Sequence, residues 1–208
     1  MLMNNFGLEI AGHQEDINGY VRLRHGEQYS IVLKKRLARR ADVELHIDGK
    51  LIGIFRIGAY QDWIVLDTPP FTGKRFTAYL LDSPEGRTAE LAQVSAEELG
   101  VVRAVFRYEK QHEFHPVIEI ASNRFYSKTL GESALSLNRG GESFMASAAP
   151  AGTGLSGHSD QQFRSVDSME YDEGPATEIA LRIIVAREDV QPLRSRNIVS
   201  SGIPPAIK

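Results

Sequence analysis

The chain has 208 residues, 42% of them hydrophobic, with 24 basic and 27 acidic side chains and a formal charge of −3. That balance excludes a long-range field drawing the whole protein onto nucleic acid or an anionic membrane, and the absence of cysteine excludes disulfides, thiolate metal sites and cysteine nucleophiles. The length suffices for one sizeable core, alone or with extended appendages.

Residues 1–20 read as an N-terminal arm. They lack the basic-then-apolar pattern of a secretory leader, so the expectation is a protein made in the cytoplasm without a signal peptide. No stretch approaches the roughly 20 apolar residues that a membrane-spanning helix needs. Residues 21–126 carry the signals of a β-sandwich core. Val21 to Leu23 and Tyr29 to Leu33 are short strand candidates, and Tyr29, Ile31 and Leu33 share one face of the second. The strongest signal follows: Val43, Leu45 and Ile47 alternate with Glu44 and His46, then Asp48-Gly49 supplies the two positive-φ positions of a tight hairpin turn into Leu51 to Ile57.

Trp63 to Leu66 ends before Pro69-Pro70, and Phe76 to Leu81 is closed by Asp82-Ser83-Pro84. Ser95 and Glu98 fit a capping box and predict one short helix, cut off by Gly100. Val101 to Tyr108 resumes period two, with Val102, Ala104, Phe106 and Tyr108 on one face. Phe114 to Ala121 is a further strand candidate. Short strands with turns about every ten residues point to an all-β fold, a single antiparallel sandwich of jelly-roll-like form.

From residue 127 to 176 Gly, Ser and Ala dominate, and Ala148 to Gly154 has no hydrophobic period, so this extended segment must be mobile or laid against another surface. Residues 177–190 return as a strand in which Ile179, Leu181, Ile183 and Val185 alternate. It is expected to complete the first sheet or to pair with a neighbouring subunit. Leu135, Leu137, Ile179, Leu181, Ile183 and Val185 are accordingly the candidate assembly contacts. Residues 191–208, with Pro192, Pro204 and Pro205, form a C-terminal arm.

Chemistry-bearing patterns are sparse. Gly152-Thr153-Gly154-Leu155-Ser156-Gly157 matches a dinucleotide-binding fingerprint, but no hydrophobic strand precedes it and no amphipathic helix follows, so a turn-rich linker is the expectation. Ser156, His158 and Asp160 hold the residue types of a catalytic triad without a scaffold to position them. His112, Glu113 and His115 carry metal-ligand atoms, but the two histidines would face opposite sides of a strand, and Pro116 opposes a helix. No metal or cofactor is therefore expected.

Lys34, Lys35, Arg36, Arg39 and Arg40 put five charges in seven residues, without interleaved aromatics to stack on bases. A solvated loop is favoured over a nucleic-acid contact. Tyr60, Trp63 and Tyr79 are candidates for a ligand-stacking platform, against the alternative that Trp63 simply packs in a core or interface. The carboxylate pairs Glu97-Glu98, Asp172-Glu173 and Glu188-Asp189 mark no pocket that would separate two pKa values.

Tyr29-x-Ile31-x-Leu33, Arg39-Arg40-Ala41-Asp42-Val43, Ile47-Asp48-Gly49-Lys50, Leu99-Gly100-Val101-Val102 and Phe106 together resemble a loosely defined group of uncharacterised β-sandwich proteins of bacterial genomes and of virus or phage particles. The resemblance covers Tyr29 to Glu109 and departs from that group at Lys34-Lys35, where an asparagine-containing turn is expected. Its motifs are structural and carry over no functional residue. The expected function is a non-enzymatic structural or interaction subunit of a virion, whether capsid vertex, decoration or spike-associated, or of a similar assembly, with homo-oligomers or other structural subunits as partners. A carbohydrate or small-ligand module anchored on Tyr60 and Trp63 is the alternative. The third reading is a hydrolase working through His112, His115 or His158.

Overall fold

The computed structural model describes residues 2–111 and 148–186. They form a mostly β fold of two sheets with one short helix. The smaller sheet is built from β1 (Leu2–Met3), β2 (Phe6–Ile10), β4 (Ile31–Lys35) and β7 (Trp63–Leu66), in that order. The larger runs β6 (Lys50–Ile57), β5 (Ala41–Ile47), β9 (Val101–Tyr108), β11 (Thr177–Ala186), β10 (Ala148–Ser156) and β8 (Arg75–Leu80), with β3 (Tyr20–Leu23) beside β11. Alternation decides the faces. Val43, Leu45 and Ile47 on β5, Val102, Ala104 and Phe106 on β9, and Leu8, Ile31 and Leu33 on the smaller sheet meet in one hydrophobic core. Phe6 stacks on Phe106 between the sheets at 4.6 Å. Each of the Val, Leu, Ile and Phe side chains among them contributes about 1.5–3 kcal/mol by leaving water.

The Asp48-Gly49 hairpin forms as expected, with φ of 50° and 74° at its two residues. Other expectations are corrected. Residues 6–10, read as part of an arm, are a core strand, because Phe6, Leu8 and Ile10 alternate and the positive-φ pair Asn4-Asn5 turns β1 into β2. The helix lies at α1 (Pro84–Thr88) rather than at Ser95. Ser83 caps it by accepting from the Gly86 amide at 2.9 Å, and Pro84 occupies the first turn, where its missing N–H costs nothing. Ser95 to Leu99 instead make a turn, with the Leu99 amide donating to the Ser95 carbonyl.

The pairing is not wholly antiparallel either, since β3 runs parallel to β11, from Tyr20 opposite Arg182 to Leu23 opposite Val185. The aperiodic stretch from Ala148 is a strand that pairs within its own chain, antiparallel to β8 over Ala151 to Ser156. Ile179, Leu181, Ile183 and Val185 are buried in this chain's own core, so the fold closes them to a neighbouring subunit. Leu135, Leu137, the strand candidate at 114–121, the His112, Glu113 and His115 group and the arm at 191–208 lie outside the described residues. Among the described residues no helix is long and apolar enough to cross a membrane.

Candidate functional site

The larger sheet curls where two strands succeed each other along one edge of β11. β9 pairs with β11 from Thr177 to Arg182, and β10 takes over at Ile184 to Ala186. Gly100 sits at the handover with φ of 76°. A Cβ there would lie 2.5 Å from the Ile183 carbonyl oxygen and 2.7 Å from that of Ala151, so no other residue fits without backbone movement. After Pro150, β10 leaves β11 and keeps only β8 as a partner among the described strands.

A cleft of about 620 Å³ opens beside the departing strand. It is walled by Lys50 and Ile52 of β6, by Tyr79 and Leu91, and by Thr153 and Leu155 of β10. Asp48 stands at its inner end. This residue is only 6% exposed, and its carboxylate accepts from the Gly100 amide at 2.6 Å and the Thr153 amide at 2.7 Å. Its own amide donates to the Val101 carbonyl at 3.0 Å. One turn residue thus ties the hairpin to the start of β9 and to the free side of β10.

Burial pushes the Asp48 carboxyl above its usual range, and the two amide donors oppose that shift without cancelling it. Beside it the Tyr29 hydroxyl and Thr153 Oγ1 share a hydrogen bond of 2.6 Å, and burial raises the Tyr29 phenol far above its ordinary value. With both carboxylate oxygens engaged by main-chain amides, this arrangement positions backbone. The apolar walls and the strand main chain are what the cleft offers a ligand.

The basic cluster is dismantled by folding. Lys34 pairs with Glu9 at 2.5 Å, Arg39 with Asp172 at 2.9 Å, and Arg40 with Glu109 at 2.8 Å. Arg39 also lies over the Tyr108 ring, 4.9 Å from its centroid. Lys35 is 2% exposed, with Nζ donating to the Leu37 and Ala59 carbonyls at 2.8 and 2.9 Å. Burial lowers its pKa, and Asp62 opposes that. Of the five, Arg36 and Arg40 are exposed, as a solvated loop would hold them, and Arg36 has no side-chain partner among the described residues, whereas Lys34 and Lys35 lie on β4 and Lys35 is a buried cation.

The aromatic candidates lie on different sheets. Trp63 is 57% exposed on β7 and lies outside this chain's core, because Ile64 and Leu66 take the inward register. Tyr60 is 98% exposed in the preceding turn. Tyr79 lies on β8, with its ring 5.7 Å from His25.

The glycine fingerprint is part of β10 and precedes no helix. A Cβ at Gly152 would lie 2.7 Å from Leu91, and one at Gly154 2.6 Å from Tyr79, so these glycines receive side chains rather than phosphate. Ser156 bonds Thr77 through its hydroxyl at 2.8 Å, whereas His158 bonds Asp160 at 3.0 Å on the surface, so the triad residues are not brought into line. Among the described residues no group of three or more His, Asp or Glu side chains could hold a metal ion.

The sequence pattern places Asp48 only in a turn. Its partners lie 52 and 105 residues further along the chain, and no local pattern encodes them. No protein-family model, curated protein or solved structure matches this chain.

Proposed function

We propose that this chain is a non-enzymatic structural or interaction subunit of an assembly such as a virion, its two sheets forming a jelly-roll-like sandwich whose edges meet neighbouring subunits. The observation that supports this reading is the state of β6. Among the described strands it is the terminal one of the larger sheet, eight residues long, and it presents Leu51 at 56% and Ile54 at 59% exposure. An open edge with apolar side chains is a template for pairing with another chain, which proteins that work alone blunt with charge, proline or a covering loop. Light scattering over a wide concentration range, beside the double variant Leu51→Lys/Ile54→Lys, tests it. The expected result is a concentration-dependent oligomer that the double variant loses. A wild-type chain that stays monomeric, and joins no particle when mixed with other structural subunits, overturns it.

A second reading is favoured by the exposed Trp63 and by a cleft whose volume lies within the range of small-molecule sites, about 300–1,000 Å³. In that reading the protein binds a carbohydrate or other small ligand. Quenching of the single tryptophan by members of a glycan panel supports it, and an unresponsive tryptophan removes the Tyr60 and Trp63 version.

A further inference from the structure

The direction of the main chain along β10 separates one occupant of the cleft from others. In an antiparallel pair, successive residues turn their N–H and C=O groups alternately toward and away from the partner strand. On β8, the Phe76 amide donates to Asp67 and its carbonyl accepts from Tyr29, while the Ala78 amide donates to Glu27 and its carbonyl accepts from Gly26. Phe76 and Ala78 therefore face away from β10. Their opposite numbers, Leu155 and Thr153, face away from β8 in turn. The Thr153 amide confirms this direction by donating to Asp48. The main-chain groups of Leu155 point the same way, into the cleft.

Across the cleft stands β6, which pairs only with β5 among the described strands. Two strand edges thus flank one cleft, converging on the Asp48-Gly49 turn. Its walls carry the apolar side chains Ile52, Phe76, Leu91 and Leu155. A compact small molecule would fill the apolar volume and leave the strand main chain without a ladder. An extended backbone satisfies both, placing its N–H and C=O groups on the edge and alternate side chains against the walls.

We infer that the cleft between β6 and β10 is a strand-addition slot that takes an extended segment, apolar at alternate residues, from a neighbouring subunit. The identity of the donor as a subunit rests on the assembly reading above; the slot itself rests on the direction of β10.

The test uses the full chain and a set of capped nonapeptides in which threonine alternates with valine, isoleucine, leucine or phenylalanine, with lysine at both ends for solubility. Main-chain recognition tolerates such variety, so at least one member binds if the slot exists. Amide hydrogen exchange is read at Leu155 and at Leu51 to Ile54. The expected result is slowing of Leu155 exchange by about tenfold or more at saturating peptide. Peptide binding is then compared by titration in two variants. Leu155→Val keeps the cleft-facing N–H and reads the share of binding that the side chain carries. Leu155→Pro removes that donor, which β8 does not use, and binding falls by about tenfold or more while the melting temperature stays close to wild type.

A set in which no peptide protects Leu155, or binding that survives Leu155→Pro unchanged, overturns the slot. An oligomer that persists in Leu155→Pro under the first of these outcomes leaves the assembly reading standing without it. A chain that is monomeric yet protected at Leu155 keeps the slot and removes self-assembly.

Discussion

Two buried charges hold this molecule's main chain in opposite ways. Asp48 accepts from two amides, and Lys35 donates to two carbonyls. The carbonyls that Lys35 serves, Leu37 and Ala59, are 2 and 24 residues away and belong to loops around the end of β4. The amides that Asp48 serves are 52 and 105 residues away, at the start of β9 and on β10. Lys35 therefore secures local loops, whereas Asp48 secures the topology of the larger sheet. A buried amide without an acceptor is also the rarer defect, because a carbonyl has a second lone pair to offer elsewhere.

The largest break in this comparison is Asp48→Ala. It strands two inward-facing amides at about 1–3 kcal/mol each, so denaturant unfolding should show a loss of about 2–6 kcal/mol. Gly100→Ala attacks the same node through shape, forcing a side chain onto two carbonyl oxygens at positive φ. A loss of about 2–4 kcal/mol is expected from the same measurement. Lys35→Met keeps the length of the stem while removing the ammonium, and the expected loss is about 1–2 kcal/mol. Equal costs for Asp48→Ala and Lys35→Met would erase the distinction between topological and local ties.

Acidity sharpens the contrast at a smaller scale. The Asp48 carboxyl titrates above its ordinary value in the folded chain, so the stabilisation from its retained proton is full below the unfolded value of about 3.9 and is lost as pH rises through the folded value. Lys35 is shifted down, so the folded chain releases its proton first and stability rises as pH climbs toward about 10.4. Unfolding measured across pH should show Asp48→Asn lacking the acid-side slope and Lys35→Met lacking the alkaline one. An unchanged profile in either variant assigns that slope to other groups.

The legible parts of the fold share a physical character. The hairpin at Asp48-Gly49, β9 and β11 announce themselves because their own side chains alternate and fill the core. The Ser83-Pro84 helix start is equally local, although its sequence also fits a turn, since capping and strand closure use the same residue types. β10 was opaque for the opposite reason: its alanines and glycines fill little space and are shaped by what presses on them, Leu91 on Gly152 and Tyr79 on Gly154. The cleft shares this opacity. Its polar end depends on Asp48 meeting strands that only the completed topology brings near, and its edge depends on where β10 parts from β11.

The place of β11 governs how the chain can be made. Its neighbours are residues 20–23, 101–106 and 148–150, gathered from across the sequence, yet the strand itself spans residues 177–186. On a ribosome, β3 and β9 emerge long before the strand that joins them, and the edges that β11 pairs stay open until it follows. Closure waits for that last strand and is dominated by distant contacts, a regime of slow folding in which chaperone capture competes with the native sheet.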